Sequence, residues 1–275
     1  MTLAQALAEA AQRGVARLDA QLLLLHALGR PGGDRAWLVA HDGDALAPHA
    51  HRAFELLCER RVTGEPVAYL VGRKEFFGLD LLVDARVLVP RPDTEILVEW
   101  ALATLAGATA PKVADLGTGS GAIALAIKHA HPGAHVTAVD ASPGALAVAR
   151  ANAARLDLEI HCVAGHWLGS TDQPFDLLVS NPPYVAEDDP HLAALAHEPR
   201  MALASGADGL DDIREIVRQS PSHLLPGGWL LLEHGWDQAA AVRALLAQAG
   251  FAEVGSRRDL AGIERCSGGR WLERG

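Results

Sequence analysis

Lys112-Val113-Ala114-Asp115-Leu116-Gly117-Thr118-Gly119-Ser120-Gly121-Ala122-Ile123 turns an apolar run into a glycine-rich loop and the loop into a helix. Gly117 and Gly119 let the chain turn tightly and leave room for a ligand where a Cβ would intrude, and Gly121 permits close packing where the helix Ala122 to His129 begins. The same alternation continues downstream. Val136 to Val139 reads as a second strand, Ala145 to Leu156 as a helix, Ile160 to Val163 as a third strand and Phe175 to Ser180 as a fourth. Trp229 to Glu233 reads as a fifth, with helices near Asp212 to Gln219 and Gln238 to Gln248 around it. Strand and helix in alternation mean an α/β fold with a mostly parallel sheet, helices on both faces, and ligands beyond the carboxyl ends of the strands.

Upstream the pattern differs. Leu3 and Leu7, then Leu18, Leu22 and Leu25, fall on helical faces interrupted by Gly14, and Phe54, Leu57 and Arg61 follow the Pro31-Gly32-Gly33 break. From 64 to 90, Gly64, Pro66, Gly72 and Gly78 punctuate Val67 to Val71, Glu75 to Phe77 and Leu79 to Val83, which predicts a β-hairpin or extended connector. The expected organisation is a helical domain over 1–63, a hairpin linker over 64–90 and a catalytic domain over 91–275.

The chain has 275 residues, 49% of them hydrophobic, with 24 basic and 34 acidic residues for a net charge of -10. That balance disfavours a nucleic acid partner, and no basic cluster offsets it. Cys58, Cys162 and Cys266 have neither zinc-site nor disulfide spacing. No run approaches the roughly 18 apolar residues of a membrane span. The expectation is a cytoplasmic protein in a reducing setting, without a membrane, and a monomer. His129, His131 and His135 surround Pro132-Gly133 as a solvated turn, and no metal site is expected.

Three loops carry the chemistry. Asp140 ends the second strand about 20 residues beyond the first glycines, where a carboxylate can accept both hydroxyls of a ribose. Asp115 precedes the loop, which suits an amino acid ammonium, or a loop built around one, better than a pyrophosphate. Ammonium, ribose and a transferable group together describe S-adenosylmethionine. Asn181-Pro182-Pro183-Tyr184 follows the fourth strand. Its prolines fix the backbone, and it offers an amide oxygen, carbonyls and an aromatic face to a planar NH2 group. That segment decides for methyl transfer over hydride transfer.

Asp115 to Gly121, Asp140 and Asn181 to Tyr184 resemble the class I S-adenosylmethionine methyltransferases acting on NH2 groups. Gly64 to Gly72, Glu75 to Gly78, Val89 to Glu95, His197-Glu198-Pro199-Arg200, Asp208-Gly209-Leu210, Glu233-His234-Gly235 and Asp259 to Gly262 extend the likeness over nearly the whole chain. They narrow it to the HemK-type protein glutamine methyltransferases that modify peptide chain release factors. The resemblance implies a small helical domain joined by a hairpin to a seven-stranded, Rossmann-like catalytic domain. It implies cofactor contacts from Gly117, Thr118, Gly119, Ser120, Gly121, Asp140, Trp167 and Asn181, with S-adenosylhomocysteine as product. Asn181, Pro182, Pro183 and Tyr184 would hold the glutamine of a Gly-Gly-Gln loop. His166 departs from the Asp or Ser expected beside Trp167, which leaves a backbone carbonyl to read the adenine amino group.

A carboxamide nitrogen is a poor nucleophile because its lone pair is shared with the carbonyl. Asn181 Oδ1 and the Pro182 carbonyl are expected to accept its two hydrogens and turn the lone pair toward the methyl group, while Tyr184 covers the amide plane. Asn181, Pro182 and Tyr184 are thus the catalytic candidates. Glu95 either lines the substrate channel or caps a helix beginning at Thr94, and Trp229 and Trp236 are read as packing residues. A ribosomal-protein glutamine methyltransferase would share every catalytic residue. A DNA amino methyltransferase uses a similar tetrapeptide on a flipped base, but expects a basic cleft.

Overall fold

The structure, a computed structural model, describes residues 1–171 and 173–272; position 275, the expected end of the catalytic domain, lies outside them. The chain divides into two compact units, Met1–Arg73 and Lys74–Gly275. The first is helical: α1 (Leu3–Gln12), α2 (Arg17–Ala27), α3 (Arg35–Ala40), α4 (Pro48–Val62) and α5 (Val67–Val71). A capping box starts α1, with Thr2 Oγ1 accepting from the Gln5 amide at 3.2 Å and the Gln5 side chain accepting from the Thr2 amide at 2.8 Å. Leu3, Leu23, Leu25, Leu38 and Phe54 form its core, each apolar side chain contributing about 1.5–3 kcal/mol on burial.

Val67–Val71 is a helix, not the extended segment its β-branched residues suggest. Pro66 begins it with φ -58° and Gly72 ends it in the left-handed conformation at φ 71°, so the turn is set by its flanks. The hairpin itself is shorter than expected, β1 (Arg73–Phe76) and β2 (Leu79–Leu82). Glu95 is the first residue of the helix Glu95–Thr104, with Thr94 at the cap position. Its Oε1 accepts from the Phe77 amide at 3.0 Å, securing a turn in which Phe77 itself has φ +50°.

After α6 (Glu95–Thr104), the second unit runs β3 (Lys112–Leu116), α7 (Ala122–Ala130), β4 (His135–Asp140), α8 (Pro143–Leu156), β5 (His161–Ala164) and β6 (Phe175–Ser180). It continues with α9 (Asp211–Gln219), β7 (Leu224–Glu233), α10 (Ala239–Ala249), β8 (Ala252–Arg258) and β9 (Glu264–Arg270). The seven-stranded sheet has the order β5-β4-β3-β6-β7-β9-β8. Its first five strands are parallel, and β9 pairs antiparallel with both β7 and β8. Side chains alternate between two cores: Val113, Val136, Leu177 and Val179 face α6 and α7, while Leu116, Val139, Leu178 and Leu230 face α9 and α10. Strand order reverses between β3 and β6. A crevice therefore opens beyond their carboxyl ends, Leu116 and Ser180, where the Ser180 hydroxyl donates to the Leu116 carbonyl at 2.6 Å.

Trp229 packs edge-on against Trp100 at 6.4 Å. Trp236, expected to pack, is 70% exposed, because the chain has left β7 by then and is turning between Gly235 and Gln238. No helix among the described residues is long and apolar enough to cross a membrane.

Candidate active site

A cavity of about 320 Å³ opens at the reversal point. Of the residues expected to bind cofactor or substrate, Gly117, Gly119, Asp140, Trp167, Asn181 and Pro183 line it. Thr118, Ser120 and Gly121 stand behind this wall and build the loop. Pro182 is buried, and Tyr184 is half-buried against the α9 and α10 core.

The glycine loop is held from several directions. Asp115 is fully buried, and its Oδ2 accepts from the Thr118 hydroxyl at 2.6 Å and the Ala124 amide at 3.1 Å. It thus structures the loop from behind and does not line the cavity. Gly121 takes φ 83°, and a Cβ there would meet Ala149 and Leu125 at 3.2 Å, so α7 and α8 pack closely at this point. The Asn152 amide donates to the Ser120 carbonyl at 2.9 Å and exchanges bonds with Leu82 at 2.6 and 3.0 Å, tying the loop to β2.

Asp140 faces the loop from β4. Oδ2 accepts from the Gly119 amide at 2.9 Å and Oδ1 from the Ser142 amide at 2.8 Å. Each oxygen keeps lone-pair capacity for a further donor, as a vicinal diol requires. The Trp167 ring lies so close to Gly117 that a Cβ there would sit 3.1 Å from it, and Gly117 has φ 72°. Trp167 has φ +50° and an unpartnered buried Nε1. A bulky residue held in the left-handed region is a strained feature of the kind concentrated at ligand sites. Flat ring, open glycine and bidentate acceptor together fit an adenosine. His166 is exposed and meets Trp167 edge-on at 5.2 Å.

Opposite the adenosine-type groups lies the tetrapeptide. Asn181 Nδ2 donates to Thr94 Oγ1 at 3.2 Å, and Asn181 Oδ1 is buried without a partner. Tyr184 donates its hydroxyl to Glu233 Oε1 at 3.2 Å. Burial, then Glu233, pushes the phenol well above its ordinary pKa, so it stays a donor. Burial also pushes Glu233 up to about 7. The Thr94 hydroxyl favours its charged form without closing a well-formed bond to Oε2, which has no geometric partner.

Arg91 pairs with Glu198, whose Oε2 also accepts from the Val89 amide at 3.0 Å. This buried carboxylate staples the segment leading to Thr94 to the chain that supplies Pro199 and Met201 to the cavity wall. Thr94, Glu233, Arg91 and Glu198 are the residues that sequence reasoning missed as a connected group. Although all four lie in stretches that carry the family likeness, no spacing signals that they meet.

Gly209 shows how tightly the tetrapeptide is backed. It has φ +74°, and a Cβ would lie 2.2 Å from the Tyr184 carbonyl oxygen and 2.8 Å from Gln238 Nε2. Gly209→Ala is expected to destabilise the fold by about 2–4 kcal/mol, since both the conformation and the backbone contact are refused. Thermal denaturation checks this, and a melting temperature unchanged from wild type contradicts it.

Burial pushes Asp115, like Glu233, up to about 7. Both carboxyls are raised above their unfolded values, so the folded state binds more protons between about pH 4.5 and 7. Their contribution to stability is therefore present at acid pH and lost as pH rises through 7. Asp115→Asn removes one of these protonation sites and is expected to flatten the decline in urea-midpoint stability between pH 4.5 and 7. The slope lost is at most about 1.4 kcal/mol for each pH step of one, the linkage of a single proton. Equal pH slopes for the two proteins would contradict the assignment.

The family comparisons agree with this geometry. Residues 93–207 match the model of the Methyltransferase small domain, and residues 2–72 that of the PrmC N-terminal domain. A release factor glutamine methyltransferase of Bordetella pertussis is 54% identical over 264 residues, covering 94% of this chain and 96% of its own. One from Pseudomonas aeruginosa is 51% identical over 260 residues, covering 93% of each chain. A methyltransferase structure from Pyrococcus furiosus superposes with a TM-score of 0.55 at 19% identity, covering 78% of this chain and 98% of its own, a likeness of fold. With identity of this degree along nearly its full length, the chain belongs to the release factor glutamine methyltransferase family.

Proposed function

We propose that this protein transfers a methyl group from S-adenosylmethionine to the side-chain amide nitrogen of the Gly-Gly-Gln glutamine in peptide chain release factors. The observation that carries the reading is the unpartnered Asn181 Oδ1 on the wall of the cavity that also holds Gly117, Gly119, Asp140 and Trp167. A buried acceptor left open costs about 1–3 kcal/mol, and a bound carboxamide recovers it. Relatives 41% to 54% identical over nearly the whole chain, named for release factors, support the choice of substrate.

Asp140 would take the ribose hydroxyls, the Gly117 to Gly121 loop the adjoining chain, and Trp167 the adenine face. When bound, S-adenosylmethionine supplies an electrophilic methyl on a sulfonium and is released as neutral S-adenosylhomocysteine. Asn181 Oδ1 and the Pro182 carbonyl accept the two amide hydrogens, which holds the nitrogen lone pair toward the methyl. Attack by the nitrogen held in this way would form the N–C bond as the methyl leaves sulfur, and the amide proton would then pass to water. Positioning of this kind is worth about 7–11 kcal/mol at its upper range. The proposed enzyme is a monomer acting in the cytoplasm, where release factors act.

The test offers labelled S-adenosylmethionine with a release factor, the same factor lacking its loop glutamine, a ribosomal fraction and duplex DNA. Label is expected on the intact factor alone. Label on the glutamine-less factor, or solely on ribosomal protein or DNA, overturns the reading.

A further inference from the structure

Asp208, Asp211 and Asp212 cluster around the start of α9, and they are not alike. Asp208 and Asp211 are exposed and share the Arg214 guanidinium, at 2.9 and 2.8 Å. Asp212 is half-buried and lines the cavity, and its carboxylate has no hydrogen-bond or ion-pair partner among the described residues. Its backbone is fixed, the Asp212 amide donating to Ser205 Oγ at 2.8 Å. Gln219, about two turns further along α9 and therefore on the same side, accepts from the Leu168 amide at 3.0 Å through Oε1 and donates to Glu215 Oε1 at 2.6 Å. Asp212 thus stands at the cavity end of the helix face that holds the Trp167 loop, with Gly165, His166 and Trp167 on the same cavity wall.

An adenine laid on the Trp167 ring carries a 6-amino group with hydrogens to donate. The residue beside Trp167 is poorly placed to accept them. His166 is exposed and edge-on to the indole, and its carbonyl already accepts from the Gly169 amide at 3.2 Å. Asp140, the other carboxylate on the cavity wall, is oriented by the Gly119 and Ser142 amides and suits the ribose. We propose that Asp212 is the adenine-reading residue of this chain: its carboxylate accepts from the 6-amino group and so supplies, from α9, the acceptor that position 166 lacks. This deepens the functional reading above and rests on its cofactor. Because a carboxylate only accepts, it favours a donor at the 6-position and opposes the oxygen that hypoxanthine carries there.

The experiment measures binding by titration calorimetry, with the full chain and without release factor. The ligands are S-adenosylhomocysteine, its inosine counterpart with oxygen at the 6-position, its purine riboside counterpart with hydrogen there, and 5′-methylthioadenosine, which keeps the adenine and lacks the amino acid ammonium. Asp212→Ala is expected to raise the dissociation constants of S-adenosylhomocysteine and 5′-methylthioadenosine about tenfold, the lower end for a hydrogen bond to a charged group. The purine riboside counterpart should stay within about threefold of wild type, since it has no amino group to lose. Asp212→Asn, whose NH2 group can turn toward an oxygen, is expected to bind the inosine counterpart about tenfold more tightly than wild type does, a gain that general loosening of the fold would not produce.

Wild-type affinity of Asp212→Ala for S-adenosylhomocysteine overturns the proposal, as do equal losses for that ligand and its purine riboside counterpart. A loss that disappears with 5′-methylthioadenosine puts Asp212 on the ammonium and also overturns it. If Asp212→Ala does not fold, Asp212→Asn decides: an unchanged preference for adenine over hypoxanthine overturns the proposal. A wild-type enzyme that binds none of these ligands fails the cofactor reading instead.

Discussion

Asn181→Ala is expected to lower kcat by about 100-fold or more, the loss found when one preorganised hydrogen-bonding group is taken from a transition state. Asn181 Oδ1 is a buried acceptor with no partner among the described residues, so its stabilisation is withheld until a donor arrives. The amide hydrogens become better donors as positive charge develops on nitrogen, and the bond therefore strengthens toward the transition state. Cofactor affinity should change by no more than about fivefold, because the adenosine-type groups belong to other loops. Single-turnover kinetics with calorimetric measurement of cofactor binding separates the two quantities. A variant that keeps kcat and loses cofactor affinity would show that Asn181 belongs to the cofactor and not to the chemistry.

Asp140→Ala should behave in the opposite way. Its two oxygens are oriented by the Gly119 and Ser142 amides, and hydrogen bonds to a charged acceptor contribute about 1.5–3 kcal/mol each. Losing both hydroxyl contacts raises the cofactor dissociation constant by about 100-fold or more. The freed Gly119 amide adds loop disorder to that loss. At saturating cofactor, kcat should recover to within about tenfold of wild type, since no proton or methyl passes through Asp140. Titration calorimetry and kcat at high cofactor concentration check the pair. Unchanged affinity would place the ribose elsewhere.

The parts of the site that are read from sequence are those whose chemistry is contiguous. A glycine loop after a strand and a proline-stiffened tetrapeptide after another carry their geometry in a few adjacent residues, and Asp140 follows by its place at a strand end. Thr94 and Glu233 could not be read in the same way. Thr94 meets Asn181 across 87 positions, and Tyr184 meets Glu233 across 49, contacts made by the order of strands and not by any local pattern. Arg91 and Glu198 are 107 positions apart.

Fold reading shows the same division. Phe175–Ser180 is a strand with the bounds its apolar run suggests. Strands β8 and β9 escape residue-by-residue reading because Ala252–Arg258 and Glu264–Arg270 are rich in Gly, Ser, Arg and Glu, and it is pairing of β9 with β7, and of β8 with β9, that makes them strands. Strand β7 itself begins at Leu224 and passes through Pro226-Gly227-Gly228, residues that ordinarily mark a turn. Val67–Val71 has strand-type composition, yet Pro66 and Gly72 make it helical.

The central claim is that Asn181 presents a glutamine amide nitrogen to the methyl donor. Its most direct test is fragment-ion mass spectrometry of a release factor after incubation with the enzyme and S-adenosylmethionine. The account predicts one added methyl on the side-chain amide of the Gly-Gly-Gln glutamine, produced by wild type and nearly absent with Asn181→Ala. Methyl found on another residue, or formed equally by the Asn181→Ala enzyme, would contradict it.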